Sequence, residues 1–201
     1  MLHLERDGII HKFRVFCVGS NKTGTTSIEH AVKQFGLSPI PSDKAYGLYL
    51  GGGLNHSKEN MVELFKKFEL RKYKYNFFSD IPFNLLESHK MLYELFPDSY
   101  FILLTRDANK WFNSVLNWIK QLKCQTMYNW VWGIEFTVAN RTEIIDRYHK
   151  RNNGIIQFFN HSPKFLVLDI DEEYKYPKIC KFLNKEIINK PFPYKNQSLY
   201  L

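Results

Sequence analysis

One stretch near the N-terminus, residues 13–36, constrains the fold more than any other part of the chain. It opens with apolar residues of the kind that form a buried parallel strand: Phe13, Val15, Phe16, Cys17 and Val18. Gly19 and Gly24 follow, and both permit backbone geometry that a Cβ would hinder. A helix is predicted to start near Thr25, because apolar residues then recur at helical spacing: Ile28, Ala31, Val32 and Phe35. Free N–H groups at a helix N-terminus, beside a lysine and several hydroxyls, predict an anion-binding site.

The loop keeps part of the motif of nucleotide hydrolases, G-x-x-x-x-G-K-[ST]. Gly19 and Gly24 have the required spacing, and Thr26 supplies the hydroxyl. Thr25 stands in the lysine position, however, and the lysine lies earlier, at Lys22. This displacement argues against Mg·ATP chemistry, in which that lysine contacts the β- and γ-phosphates. The alternative is an ordinary strand-to-helix turn whose lysine and threonines bind no ligand.

Strands and helices alternate along the rest of the chain. Further core strands are predicted at residues 75–78, 100–104 and 165–168, with helical patterns between them. This order predicts a three-layer α/β/α fold with a central, mostly parallel sheet. The phosphate-binding loop is expected to follow the first core strand. One domain is expected to cover residues 1–201.

Two segments are predicted to lie outside the regular elements. Residues 1–12 are expected to form an irregular lead-in, or a short edge strand at 8–10. Residues 37–57 are predicted to be a mobile loop, because they contain two prolines and a run of three glycines.

Several polar residues are predicted to meet at one edge of the sheet. Ligands of parallel sheets bind at the carboxyl ends of the strands. The loop at 19–26, Asp80, Arg106 and Asp169 all follow such ends. The acidic run that begins at Asp169 is interpreted as a solvated turn and helix N-terminus rather than a metal site. His89 falls on the apolar face of its predicted helix and is expected in the core.

A second anion-binding motif is predicted around the third core strand. Arg106 follows that strand, and Ser114 lies eight residues later, about two turns into the next helix. Both side chains can face one pocket, where a guanidinium offers a fork of donors to a phosphate and a serine adds a hydroxyl. In isolation, the favoured interpretation would be that Arg106 pairs with Asp107 or another carboxylate and that Ser114 is an ordinary helix serine.

Together, these motifs resemble those of the sulfotransferases that use 3′-phosphoadenosine 5′-phosphosulfate (PAPS). The resemblance runs through the loop at 22–26, the Ser-Asp-Ile-Pro step at 79–82, the segment from Phe-Pro at 96–97 to Ser114, and the closing Pro-Phe-Pro at 191–193. It implies PAPS as the donor, 3′,5′-ADP as the product, and chemistry without a metal. It implies that the 3′-phosphate binds Arg106 and Ser114. It also implies a set of loop residues around the 5′-phosphosulfate: Ser20, Asn21, Lys22, Thr23, Gly24, Thr25 and Thr26.

Two residues are predicted to carry catalysis. Sulfuryl transfer to a hydroxyl requires neutralisation of charge on the leaving oxygen, for which Lys22 is suited, and a group that accepts the proton. Many family members place a histidine at the end of the second core strand, where this chain has Asp80. Asp80 is the candidate base, although an aspartate has an ordinary pKa of about 3.9 and would need burial or careful positioning. The alternative is that Asp80 caps a helix or pairs with a lysine.

Three functions therefore remain open at this point. The leading hypothesis is a sulfotransferase acting on a hydroxyl or amine of a small molecule, carbohydrate or protein. The second is a catalytically weak or inactive protein that binds PAPS or 3′,5′-ADP. The third is a phosphotransferase of the phosphate-loop class, which Thr25 disfavours.

Composition narrows the setting. The net charge is +8, but the lysines are dispersed, so no nucleic-acid partner is predicted. Three widely spaced cysteines (Cys17, Cys124 and Cys180) show no metal-ligand spacing and suggest a reducing compartment. No stretch reaches the roughly 18 apolar residues of a membrane span, and the first residues do not resemble a signal peptide. A cytoplasmic location is therefore expected.

Overall fold

The computed structural model describes residues 3–6, 9–11, 13–50, 56–71 and 74–195. The strands in chain order are β1 (His3–Arg6), β2 (Ile9–His11), β3 (Val15–Cys17), β4 (Phe77–Phe78), β5 (Tyr100–Thr105) and β6 (Phe165–Asp169). The main sheet has four parallel strands in the order β4-β3-β5-β6, while β1 and β2 form a separate antiparallel pair. The predicted α/β fold with a central parallel sheet is confirmed.

The helices surround this sheet. They are α1 (Thr25–Lys33), α2 (Ser42–Leu50), α3 (Lys58–Leu70), α4 (Ser88–Leu95), α5 (Ala108–Leu122), α6 (Gln125–Trp132), α7 (Arg141–Phe158) and α8 (Lys175–Phe182). Helices connect the parallel strands, as parallel pairing requires. Within the described part of the chain, no helix is long and apolar enough to cross a membrane.

The strands place alternate side chains on opposite faces of the sheet. Phe16 and Phe101 point into one buried cluster, which α2, α3, α4 and the end of α7 complete. Val15, Cys17 and Ile102 point into a second cluster, which α1 and α8 complete. A third buried cluster joins α5, α6 and the first half of α7. The three-layer arrangement therefore follows from strands that are apolar on both faces.

The pairing register aligns the strand ends that carry the functional loops. In β3, Val15 lies beside Phe77 of β4 and Tyr100 of β5. In the other half of the sheet, β5 and β6 pair over five residues, ending at Thr105 and Asp169. The loops that follow these strands consequently emerge at one edge of the sheet.

The structure corrects the prediction of a loop over residues 37–57. Helix α2 occupies Ser42–Leu50, directly after Pro41, and Ala45 and Tyr49 are buried in the first cluster. Their burial outweighs the helix-weakening effect of Gly47, so tertiary packing overrides local propensity here. The glycine run at 51–53 lies outside the described residues. At the N-terminus, β2 includes Ile9 and Ile10, in line with the edge strand considered for that segment.

Gly19 is expected to be essential because its lack of a side chain lets the start of the loop pack directly against β5. A Cβ at this position would lie 2.7 Å from both the Cβ and the carbonyl oxygen of Leu104 in β5. We predict that Gly19→Ala lowers the free energy of unfolding by about 1–3 kcal/mol, because overpacking forces backbone shifts. Urea unfolding measures the change.

Gly154→Ala is the matched control. Gly154 lies inside α7, and a Cβ there meets no atom within 4 Å. The free energy of unfolding of this variant should rise by about 0.5–1 kcal/mol, because alanine is favoured over glycine inside a helix by about that amount. Equal unfolding free energies for Gly19→Ala and the wild type would contradict the account.

Candidate anion-binding active site

A cavity of about 300 Å³ opens at the carboxyl ends of the parallel strands. The loop after β3, the start of α1, the end of β4 and the end of β5 all contribute side chains. Its lining comprises Asn21, Lys22, Gly24, Thr25, Thr26, Ser27, Asp80, Arg106, Ser114, Trp118, Tyr128, Ile170, Asp171, Tyr194 and Lys195. The cavity therefore lies where the parallel topology predicts a ligand.

The loop after β3 has a tightly wound backbone. Lys22 and Gly24 both have positive φ, of 69° and 100°. Thr23 stabilises the turn, since its N–H and its Oγ1 donate to the Ser20 carbonyl at 3.3 and 2.6 Å. A Cβ on Gly24 would collide with the side chain of Ile170. The positive φ is what requires glycine at this position.

The N-terminus of α1 faces the cavity. Gly24 is its N-cap residue, and as a glycine it has no side chain to cap the helix. The first N–H groups of a helix have no partner within the helix, and their aligned dipoles attract anions. Thr25, Thr26 and Ser27 of this first turn all line the cavity. This end of the cavity can bind a phosphate or a sulfate ester.

Lys22 brings a cation to the same end. Its Nζ lies 4.1 Å from the centre of the Trp118 ring, a cation–π contact. Burial lowers the pKa of Lys22, and the positive charge of Arg106 lowers it further. Two cations therefore approach one another in a cavity where an anion would relieve their repulsion.

Arg106 connects the end of β5 to the loop. Its Nη1 donates to the Lys22 carbonyl at 3.2 Å, while its buried Nε has no hydrogen-bond partner among the described residues. Tyr148 holds the backbone, accepting from the Arg106 N–H at 3.1 Å and donating to its carbonyl at 3.2 Å. Ser114 is only 4% exposed and also lines the cavity. The two residues predicted to bind a second phosphate thus reach the same cavity as the loop.

Asp80 lies at the end of β4, with a positive φ of 59°. Its Oδ1 accepts from Asn21 Nδ2 and its Oδ2 accepts from Ser42 Oγ, each at 3.0 Å. Burial raises the pKa of Asp80, while hydrogen bonds from Ser42 and Thr25 and the charge of Lys22 partly oppose this shift. Asp80 is not the cap of the following helix, because the N-cap of α4 is Glu87.

Two residues of the predicted loop set do not reach the cavity. The Thr23 side chain is fully buried and bonded within the loop, and Ser20 is 5% exposed and lies behind it. Ser20 instead lines a second, water-sized cavity, together with Asn84, Tyr128 and Arg151. His89 is buried against Phe158, as predicted. Asp169 ends β6 and accepts from Thr105 Oγ1 at 3.1 Å.

Sequence reasoning missed several residues of the cavity. Trp118 comes from α5, and Asp171 on the rim accepts from Lys110 Nζ at 2.9 Å. Tyr194 and Lys195 are brought in by the tail, where the Lys195 N–H donates to Ser27 Oγ at 3.1 Å. These residues carry no periodic or motif signal. The only sequence signal near Tyr194 and Lys195 was the Pro-Phe-Pro at 191–193, which is part of the resemblance to sulfotransferases.

Glu29 was also missed, and it lies beside Asp80. Ser79, the residue before Asp80, donates its hydroxyl to the Glu29 carboxyl. Burial raises the pKa of Glu29 to about 7, and the negative charge of Asp80 contributes in the same direction. Among the described residues, no group of three or more His, Cys, Asp or Glu side chains could hold a metal ion.

The fold and this cavity define the class of protein. A parallel sheet with a glycine-bearing loop at a helix N-terminus, and a strand-end arginine beside it, is the arrangement typical of α/β domains of phosphate-loop type.

The comparison with family models is more specific. The model of the sulfotransferase domain matches residues 14–140 and 124–199, so nearly all of the described chain is covered. The chain belongs to this family.

Solved structures show the same fold. A sulfotransferase from Alicyclobacillus acidocaldarius is similar over 94% of this chain and 87% of its own, with a TM-score of 0.57 and 14% identity. The sulfotransferase domain from the curacin biosynthetic pathway is similar over 88% of this chain and 75% of its own, with a TM-score of 0.52 and 12% identity. No curated protein sequence matches the chain significantly.

The raised pKa of Glu29 predicts a pH-dependent stability. Between about pH 4.5 and pH 7 the folded state keeps a proton that the unfolded state has released. Wild-type stability should therefore fall, relative to that of Glu29→Gln, as the pH rises through this window, and the difference should stay constant above it. Urea unfolding of both proteins at a series of pH values measures this. A difference that grows in the opposite direction would contradict the burial of Glu29.

Proposed function

We propose that this protein transfers a sulfuryl group from PAPS to a hydroxyl or amine acceptor and releases 3′,5′-ADP. The observation that carries the proposal is the position of Arg106. It donates to the Lys22 carbonyl at 3.2 Å, and its Nε is buried without a partner among the described residues. Two anion subsites, one at the loop and one at Arg106 and Ser114, thus lie side by side in one cavity.

The residues present fit a donor with two anionic ends. The N-terminus of α1, with its glycine N-cap and with Lys22, Thr25 and Thr26, suits the 5′-phosphosulfate. Arg106 and Ser114 suit a 3′-phosphate, because a guanidinium binds phosphate through several donors. The cavity volume of about 300 Å³ falls at the lower end of the range for ligand sites.

The proposed mechanism is a direct transfer. The S–O bond to the 5′-phosphate breaks as a new S–O or S–N bond forms to the acceptor. Lys22 and the N–H groups of α1 stabilise the negative charge that develops on the leaving phosphate oxygen. Asp80 accepts the acceptor proton and later releases it to solvent.

The environment of Asp80 supports its assignment as the base. An aspartate of ordinary pKa accepts protons poorly near neutrality, and burial in this site raises that pKa. Thr25 links the two halves of the mechanism, because it opens α1 and also hydrogen-bonds the Asp80 carboxylate. In a nucleotide hydrolase this position would carry the phosphate-binding lysine.

Two other candidates are distinguished by experiment. An inactive binding protein of the same fold would bind 3′,5′-ADP but transfer nothing. A phosphate-loop phosphotransferase would prefer Mg·ATP, and Thr25 in place of the phosphate-binding lysine disfavours that function. The acceptor is proposed only as a small molecule, a carbohydrate or a protein side chain, and no nucleic-acid partner is proposed.

Nucleotide selectivity tests the donor site. We predict that 3′,5′-ADP without Mg²⁺ stabilises the protein by about 2.7 kcal/mol over the ligand-free protein at a hundredfold excess over its dissociation constant. At the same concentration, 5′-ADP or Mg·ATP should stabilise it less. Arg106→Met should lose this preference, because the 3′-phosphate loses its guanidinium. Thermal unfolding with each nucleotide measures the effect.

Arg141→Met is the matched control, since Arg141 bonds Asn113 and Asn109 outside the cavity. Arg141→Met should keep the wild-type preference for 3′,5′-ADP over 5′-ADP and Mg·ATP. A preference for Mg·ATP in the wild type would overturn the proposed function.

The role of Asp80 predicts a separation of binding from transfer. Asp80→Asn should lower the transfer rate by about 10²-fold or more, as loss of a general base does. Its affinity for 3′,5′-ADP should stay within a few fold of the wild type. Radiolabelled transfer from PAPS to a panel of phenols, sugars and amines measures the rate, and calorimetry measures the affinity. Asp146→Asn, which alters a surface pair with Lys150, is the control. Unchanged transfer by Asp80→Asn would refute the base assignment.

A further inference from the structure

A continuous chain of hydrogen bonds runs from α7 to Asp80. Arg151 in α7 donates through Nη2 to the carbonyls of Val18 and Asn84, at 2.7 and 2.8 Å. Asn84 Nδ2 donates to Asn21 Oδ1 at 2.9 Å, and Asn21 Nδ2 donates to Asp80 Oδ1 at 3.0 Å. The sequence separations of these contacts range from 59 to 133 residues.

The donor-to-acceptor direction of these hydrogen bonds follows from the chemistry of the asparagine amide. A side-chain amide has one accepting end and one donating end. Because Asn84 donates to Asn21 Oδ1, the Nδ2 group of Asn21 is left to face Asp80. The backbone of Asn21 is held independently, since its carbonyl accepts from Trp111 Nε1 at 3.1 Å. If Asn21 were flipped, its oxygen would oppose the carboxylate.

Arg151 is an unusual anchor for such a chain. It forms no ion pair with a carboxylate within the described ranges, and burial lowers its pKa to about 10. Its guanidinium is satisfied by Val18 and Asn84 carbonyls and by Asn152 Oδ1 at 3.2 Å. A buried charge without a counter-charge is costly to a fold. Because burying the Arg151 guanidinium destabilises the fold, its presence is better explained by a role in positioning the residues of the site.

We propose that Asn84, held by Arg151, is a positioning residue that orients Asn21 so that Asn21 holds the Asp80 carboxylate toward the cavity. The inference rests on the proposed role of Asp80 as base. Ser42 of α2 holds the second carboxylate oxygen at 3.0 Å, so the group is clamped from two sides. A clamped, ionised carboxylate meets the acceptor in one orientation, which general-base catalysis requires.

Other charged and titratable groups also act on Asp80. Lys22 of the loop favours its ionised form, and Glu29 of α1 is a neighbouring carboxyl. Tyr128 of α6 and Cys17 of β3 are close enough for Asp80 to raise the pKa of each. Any test by pH must therefore follow Asp80 itself rather than activity alone.

Asn84→Leu tests the proposal, because it keeps the volume of the side chain and removes the donor. The transfer rate should fall about tenfold, and the carboxyl ¹³C titration of Asp80 should move up by about one pH unit, as expected for the loss of a hydrogen bond to a charged group. Affinity for 3′,5′-ADP should stay within twofold. Asp80→Asn assigns the ¹³C resonance.

Asn129→Leu is the matched control, since it removes another part-buried amide, which bonds Phe136 N and lies outside this chain of contacts. It should leave the Asp80 titration unchanged. An unmoved Asp80 titration in Asn84→Leu would overturn the proposal. So would a parallel loss of donor affinity, which indicates a structural role only. A shifted titration with unchanged transfer would instead refute Asp80 as the base and leave its positioning intact.

The wild-type protein gives a second test that needs no substitution at Asn84. In the free protein, the side-chain amide resonances of Asn21 and Asn84 should titrate with the same midpoint as the Asp80 carboxyl, because the three groups are hydrogen-bonded in series. Amide resonances that do not respond at that midpoint would contradict the proposed chain.

Discussion

The hydrogen bond from Arg106 to the Lys22 carbonyl is the contact on which this site depends. It joins the end of β5 to the loop after β3, and these strands are neighbours in the parallel sheet. The contact holds two cations close together in a partly buried cavity, which is unfavourable without an anion between or beside them. Aligned N–H groups at the start of α1 add to this positive potential. The electrostatics of the cavity thus favour a ligand with more than one negative group.

The same edge of the sheet places an acidic group against this basic cavity. The Asp80 carboxylate is hydrogen-bonded by Asn21 from the loop, Ser42 from α2 and Thr25 from α1, so three elements fix its orientation. The loop therefore serves both ends of the proposed reaction. In that proposal, Lys22 faces the leaving group and Asn21 bonds Asp80, the proposed base. This sharing explains why the loop is fixed by contacts to Arg106 and Trp111 as well as by its own turn.

Local patterns predicted the framework of the molecule well. The buried strands, the loop with Gly19 and Gly24 and the strand-end Arg106 and Asp80 are recognisable because parallel strands are apolar on both faces and polar at their ends. The eight-residue separation of Arg106 and Ser114 predicted two side chains that do reach one cavity.

Other features depend on contacts that no local pattern records. Helix α2 forms because Ala45 and Tyr49 are buried by distant residues, although prolines and glycines predicted a loop. Asn84 and Arg151 reach the site across 63 and 133 residues of sequence, and an isolated asparagine or helical arginine has no recognisable signature. Glu29 looked like an ordinary polar residue of α1, and only the approach of Ser79 reveals its burial.

A crystal structure of the protein with 3′,5′-ADP tests the central claim most directly. The account predicts the 5′-phosphate at the N-terminus of α1 beside Lys22, and the 3′-phosphate within hydrogen-bonding distance of the Arg106 guanidinium and Ser114 Oγ. A nucleotide bound elsewhere, or one whose 3′-phosphate faces solvent while Arg106 stays on the Lys22 carbonyl alone, would contradict it.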